Sequence, residues 1–371
     1  MYNKYTPYGK GVISMENKLR IGLVGIGGMG NLHIDCYAGM PDVEIVGLCD
    51  IVEGRAEAAR KAHNLSEAVI TCTDFHELIT RDDIDAIDIA TPNYMHPVIA
   101  IAAMKAGKHV FSEKQDCITV EQAEEMKTTS EQTGKVLMVM RNNRWYEPSK
   151  YIKTFINEGK AGEIYSGRCG WIRRRGIPGK GGWFTTKSQS GGGPLIDLGV
   201  HMIDLSIWLM GNPRPVAVSG CTYMKFAEND AKSDSIHSQF GEAKSDGTFD
   251  VEDLAMGFIR FDNGACLQIE FSWASNIEKE EKFVELRGTK AGFSWRDETK
   301  LSIYTENEKG ECYDINPPFE GVNGHGRNLR HFVDVILYGT EPDFIPQQGV
   351  NMIKILNARY ESAKTGREIL L

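Results

Sequence analysis

The stretch IGLVGIGGMGNLH, residues 21–33, joins a short apolar run to closely spaced glycines and then to a segment of helical composition. The run reads as a buried strand. Gly25 makes a tight turn, Gly27 lets a pyrophosphate approach the backbone, and Gly30 lets the following helix lie close to the strand. The first amides of that helix, around Gly28 and Met29, would hold the phosphates. About twenty residues beyond Gly30, the segment VGLCD ends on Asp50, whose carboxylate suits the hydroxyls of an adenosine ribose. The same charge repels a 2′-phosphate. With no basic residue read beside Asp50, NAD is expected over NADP.

Outward from this unit, RIGLVGIG, VEIVGLCD, DAIDIATP, KHVFSEK and VLMVMRNN are candidate strands, separated by helical segments. That alternation predicts an α/β domain, a doubly wound parallel Rossmann sheet over residues 18–142. Thr119 and Gly134 bracket one of its helices as cap and left-handed terminus. After Asn143 the pattern changes. A helix near Pro148–Asn157 leads into the extended stretch GEIYSGRCGWIRRR and later to hairpin signals. The clearest is FDNGACLQIEFSW, where Asn263 and Gly264 are expected to supply two positive-φ residues. Residues 143–371 therefore read as an α+β domain with a large, mainly antiparallel open sheet and a C-terminal helix packing back. Residues 226–250 read as a long polar loop, and residues 1–17 as an N-terminal arm.

The chain has 371 residues, enough for two cores, and 42 Lys plus Arg against 51 Asp plus Glu leave a net charge of −9. This balance argues against a nucleic-acid footprint or a polybasic membrane surface. The eight cysteines form no C-x-x-C pair and read as reduced packing thiols. No run reaches membrane-spanning length and no leader is read at the start, so a cytoplasmic protein is expected.

A second decisive stretch is GGGPLIDLGVHMIDLSIWLMG, residues 191–211. It reads as a helix apolar almost all round, yet carries Asp197, His201 and Asp204. At about 100° per residue, positions i, i+4 and i+7 form one polar stripe. Unpartnered burial of such groups is costly, so the stripe meets polar partners or faces a site. A divalent cation would suit its ligand types, and no metal is expected because a lysine elsewhere supplies positive charge. That lysine is Lys114 in FSEKQD, at a strand end like Thr91, Pro92, Asn93 and His96 of TPNYMHP. Strand ends line the ligand crevice of such a sheet. His96 reads equally as a helix-capping residue.

In this order, GIGGMG, TPNYMHP, EKQ, NRWYEP, GGGPLIDLGVHMID and NARYESAKTGREI resemble the Gfo/Idh/MocA oxidoreductases over nearly the whole chain after Lys18. The resemblance implies an NAD-binding Rossmann domain and an open-sheet domain through which such proteins associate, predicting a homo-oligomer (dimer, tetramer or hexamer). It implies catalysis by Lys114, Asp197 and His201, with His201 as proton acceptor on a sugar, glycoside or cyclitol. Cofactor contacts are then expected from Gly25, Gly27, Gly28, Met29, Gly30, Asp50, Thr91, Pro92, Asn93, His96 and Glu113. Substrate contacts are expected from Asp197 and His201 and, in the loop before the helix, Arg174, Trp183 and Lys187. One departure is Gln115, where the family has proline. The best-matching activity is oxidation of C3 of glucose or a glucoside to a 3-keto sugar. Alternatives are an inositol-type dehydrogenase or a glycosidase using transient C3 oxidation.

Overall fold

The computed structural model describes residues 18–227 and 243–371; the N-terminal arm and most of the 226–250 loop lie outside them. Six strands form the first sheet: Leu19–Val24 (β1), Val43–Cys49 (β2), Ile70–Cys72 (β3), Ala86–Ile89 (β4), His109–Ser112 (β5) and Leu137–Val139 (β6). All neighbours are parallel, in the order β3-β2-β1-β4-β5-β6. Both faces are covered, so Ile21, Leu23, Leu48, Ala86 and Phe111 are buried and the strands are apolar nearly throughout. The order reverses between β1 and β4, which creates a crevice at their carboxyl ends. β3 was not among the expected strands. At three residues it is too short to show a period.

Among the described residues, the first compact unit comprises those through Cys117, Glu121–Met140 and His325–Val350; the second comprises Ile118–Val120, Arg141–Gly324 and Asn351–Leu371. The main division falls at Met140/Arg141, and the late segment His325–Val350 belongs with the first unit. Apolar residues of the helix Gly324–Tyr338 explain the late segment, since Leu329, Phe332 and Val333 join the core formed by Leu19, Ile21 and Phe111.

The second unit holds a nine-stranded sheet built from Ile164–Ile172 (β7), Pro215–Tyr223 (β8), Leu254–Phe261 (β9), Cys266–Ser272 (β10), Glu281–Gly288 (β11), Ala291–Trp295 (β12), Leu301–Glu306 (β13), Cys312–Ile315 (β14) and Ile369–Leu370 (β15). Its order is β14-β13-β12-β11-β7-β10-β9-β8-β15, antiparallel except for β7 with β10. On β7, β10 and β11, Cys169, Ile269 and Val284 occupy register positions on one face. The helix Val200–Leu209 packs on that side, against β7 and β11. The opposite positions carry Arg168, Gln268 and Glu285, and Arg168 Nε donates to Glu285 Oε2 at 2.5 Å. In the β9–β10 turn only Gly264 has positive φ, at 85°. This corrects the expectation of two such residues: Asn263 instead accepts the amide of Ala265 through its side chain at 3.1 Å.

Candidate active site

The glycine turn takes the form its spacing predicts. Gly25 sits at φ 94°, and a Cβ there would strike the Ala90 backbone. A Cβ on Gly30 would overlap the Gly25 carbonyl, so helix Gly28–Ala38 packs closely on β1. Gly27 and Gly28 are exposed and face open space, with Met29 half-buried beside them. Asp50 is buried. Its carboxylate accepts the amides of Ile26 at 2.8 Å and Val52 at 2.9 Å, which ties the end of β2 to the glycine turn. The expectation of no basic neighbour is corrected: Arg55, five positions along, folds back so that Nη1 lies 3.3 Å from Asp50 Oδ1.

Thr91 and Pro92 follow β4 and are half-buried, and Asn93 is buried at the start of a short 3₁₀ turn. The Thr91 hydroxyl is buried with no hydrogen-bond partner among the described residues. His96 is fully buried, with Nδ1 2.6 Å from the Gln115 carbonyl and Nε2 2.8 Å from that of Thr91. Burial lowers its pKa, so the neutral ring donates to one of the two carbonyls. It thus ties together the loops after β4 and β5. These residues fit a dinucleotide: an open glycine cradle at a helix N-terminus, an anchored carboxylate at the end of β2, and an unsatisfied hydroxyl at the crevice.

Glu113 is buried just beyond β5, and its carboxylate takes His33 Nε2 at 3.1 Å and the amide of Lys114 at 3.0 Å. His33 Nδ1 meets Asp88 at 2.9 Å, and Tyr37 donates to Asp88 at 2.8 Å. Burial alone would lower the His33 pKa, but Asp88 and Glu113 outweigh it and raise the value to about 10. Burial likewise pushes the Glu113 carboxyl up, and the His33 imidazolium overrides it, holding the group at about 2. A charged network therefore underlies the segment that presents half-buried Lys114. The Lys114–Gln115 peptide bond, at the position where the family has proline, is cis.

In the second unit, residues 191–211 do not form one uniform helix. Leu195–Gly199 is a π-helical turn leading into the helix Val200–Leu209. The amides of Gly193 and Leu195 donate to the buried Glu252 carboxylate at 3.0 and 3.3 Å, and Tyr360 donates to it at 2.9 Å. A Cβ on Gly193 would overlap the Glu252 carbonyl, which gives the GGG run a physical reason.

The polar stripe divides. Asp204 is buried and clasped by Arg144 through Nε to Oδ2 at 2.8 Å and Nη2 to Oδ1 at 2.6 Å, with Arg141 Nε 3.0 Å from Oδ1. These are the partners that a buried carboxylate requires. Asp197 and His201 are half-buried. Asp197 Oδ2 accepts the indole N–H of buried Trp273 at 3.0 Å, and the His201 ring stands 6.2 Å from that of Trp171. π-helical turns recur at functional sites.

The loop residues are placed differently. Arg174 is exposed and its amide donates to Glu280 at 2.8 Å. Trp183 is half-buried and stacks on Phe184 at 3.8 Å between ring centroids. Lys187 is exposed, with Nζ 5.5 Å from the Tyr360 ring centroid. Sequence reading missed Trp171, although it stands two residues before the arginine run, and missed Trp273, whose role depends on a contact far along the chain.

Two family models cover the chain. Residues 19–141 match the NAD-binding Rossmann fold of an oxidoreductase family, and residues 153–371 match the C-terminal alpha/beta domain of that family. The chain is 32% identical to the D-glucoside 3-dehydrogenase of Escherichia coli (strain K12), over 96% of this chain and 98% of that one. It is 30% identical to the levoglucosan dehydrogenase of Pseudarthrobacter phenanthrenivorans, over 79% of this chain and 78% of the relative. A solved structure of levoglucosan dehydrogenase with NADH and levoglucosan superposes with a TM-score of 0.82 at 25% identity, covering 95% of this chain and 99% of that one. With both halves matched in order and the glycine cradle and strand-end carboxylate in place, the chain belongs to the Gfo/Idh/MocA family of NAD-binding oxidoreductases.

Proposed function

We propose that this oxidoreductase removes hydride from a secondary hydroxyl carbon of a sugar, C3 of glucose or of a glucoside, and gives a 3-keto sugar. The observation that carries the reading is the placement of half-buried Asp197 and His201 at and just after a π-helical turn, with the Trp171 ring 6.2 Å from that of His201. Full-length similarity to a D-glucoside 3-dehydrogenase supports glucosides and C3. NAD, when bound, supplies the hydride acceptor.

The remaining chemistry falls to the side chains. The hydroxyl proton must leave as the carbon is oxidised, and imidazole is suited to take it near neutral pH, the role assigned to His201. Lys114, as an ammonium, is suited to stabilise the negative charge that develops on an alcohol oxygen as it is oxidised. Asp197, steadied by Trp273, orients His201 or accepts a neighbouring sugar hydroxyl. Gly25, Gly27, Gly28, Met29, Gly30, Asp50, Thr91, Pro92 and Asn93 serve the cofactor, whereas His96 and Glu113 serve it by holding the loops that present those groups. The polar sheet face bearing Arg168, Gln268 and Glu285 pairs with a second copy of the chain. The test is to incubate the protein with NAD and a panel of glucose, methyl glucosides and inositols, then follow NADH and locate any new carbonyl by NMR. A C3 carbonyl on a glucoside is expected. Oxidation confined to inositols would overturn the C3 assignment, and release of free sugar without net NADH would indicate hydrolysis.

A further inference from the structure

Lys282 lies on β11 directly opposite Trp171 on β7. Its Nζ is 4.5 Å from the Trp171 ring centroid, 5.2 Å from that of Trp295 and 6.0 Å from that of Tyr146. The residue is half-buried, and no hydrogen bond or ion pair joins its ammonium to another described residue. Aromatic faces attract a cation, but they do not accept the hydrogen bonds that an ammonium gives up on leaving water. The same indole neighbours His201, at 6.2 Å between rings, and Arg173 Cζ lies 5.1 Å from its centroid. An aromatic cluster that holds an ammonium with unused donors matches a pyranose, which has apolar C–H faces and a fringe of acceptor oxygens.

We propose that Lys282 is a substrate-binding residue that determines specificity: with the sugar held at His201 beside the Trp171 cluster, its ammonium donates a hydrogen bond to an acceptor oxygen of the sugar. The inference rests on the sugar-oxidising role proposed for His201 and adds a specificity group that the family motifs did not single out. Its charge state has identifiable controls. Burial pushes the Lys282 pKa down to about 8; Glu298 and Asp297, just beyond β12, favour the charge, and Arg173, just beyond β7, opposes it. His201, from the helix packed on this face, neighbours Trp171, and the Tyr146 phenol is the remaining titratable group of the cage. Substrate binding should therefore weaken as pH rises through about 8, when the ammonium is lost.

The test uses NAD-loaded protein with methyl β-D-glucopyranoside as probe, comparing wild type, Lys282→Met and Lys282→Arg. Lys282→Met is expected to raise KM roughly ten- to a hundred-fold, the scale of one charged hydrogen bond, with a much smaller effect on kcat. Wild-type KM should climb above pH about 8. Lys282→Arg should keep a low KM and lose that climb, because guanidinium does not titrate there. An unchanged KM with the climb intact in Lys282→Met would overturn the proposal, as would equal losses in kcat and melting temperature in both variants. The two readings separate cleanly. Turnover lost in His201→Ala with Lys282→Met unaffected removes only Lys282 from the site, whereas turnover surviving in His201→Ala removes the oxidation site itself. If wild type holds NAD but neither binds nor oxidises the glucoside, both readings fail.

Discussion

His33 shows how much the segment that presents Lys114 depends on buried residues beneath it. It is fully buried between Asp88 and Glu113, and Glu113 in turn holds the amide of Lys114. Truncating one member of a buried charge network leaves its partners uncompensated, so His33→Ala should cost about 3–5 kcal/mol, read from denaturant unfolding. A loss within experimental error would mean that the network is not charged. Its pH signature follows from the sign of the shifts. Because the folded His33 pKa is raised from 6.5 to about 10, its contribution is complete below 6.5 and fades as pH rises through about 10. Glu113, held at about 2 against 4.5, contributes above 4.5 and loses that contribution as pH falls through about 2. Cofactor selectivity is also a residue-scale matter. Asp50 both repels a 2′-phosphate and occupies Arg55, so NAD should bind at least about tenfold better than NADP, about 1.4 kcal/mol. Asp50→Ala should narrow the gap by removing the repulsion and releasing the guanidinium. Equal affinities in the wild type, measured by calorimetry, would contradict this. The acid at the end of β2 was legible from its spacing after Gly30. Arg55 was not, because its relation to Asp50 depends on the turn between β2 and the next helix, whose direction composition does not fix.

At the scale of elements, the segment 191–211 separates two kinds of polar residue that look alike in sequence. Asp197 and His201 are half-buried at and just after the π-helical turn, while Asp204 is locked to Arg144 in the core. Ideal helical periodicity places all three on one stripe; it carries no information about the widened turn or about an arginine from the NNRW segment. Asp204→Asn should therefore lower stability by about 3–5 kcal/mol, because it leaves Arg144 buried and poorly compensated. Asp197→Asn should instead lower kcat/KM with little change in melting temperature, since its amide oxygen can still accept the Trp273 N–H. The reverse pattern would exchange the two roles. The Rossmann strands were legible because each is an apolar run of near-uniform character, whereas β3 was too short to read. The open sheet was legible as a class from its turns. Its order was not, because β7 pairs with β10 and β11 across about a hundred residues of chain, a choice made by packing.

For the whole molecule, the nine-stranded sheet has one face packed by helix and another bearing Arg168, Gln268 and Glu285. Among the described residues no helix intervenes between Asn212 and Asn323 to cover that second face. Light scattering at micromolar concentration should accordingly give the mass of a dimer or larger assembly, and a monomer would contradict sheet pairing. Among the described residues no helix is long and apolar enough to cross a membrane. The division of labour between a cofactor-holding unit that carries Lys114 and a substrate unit that carries Asp197 and His201 is the central claim, and it reduces to one measurement. With saturating NAD and methyl β-D-glucopyranoside, initial NADH formation is compared between wild type and His201→Ala, alongside calorimetric NAD affinity for both. A fall in kcat of roughly 10²- to 10⁴-fold with unchanged NAD affinity is the expected result; near-normal turnover in His201→Ala would show that the proton leaves by another route and that the site has been misassigned.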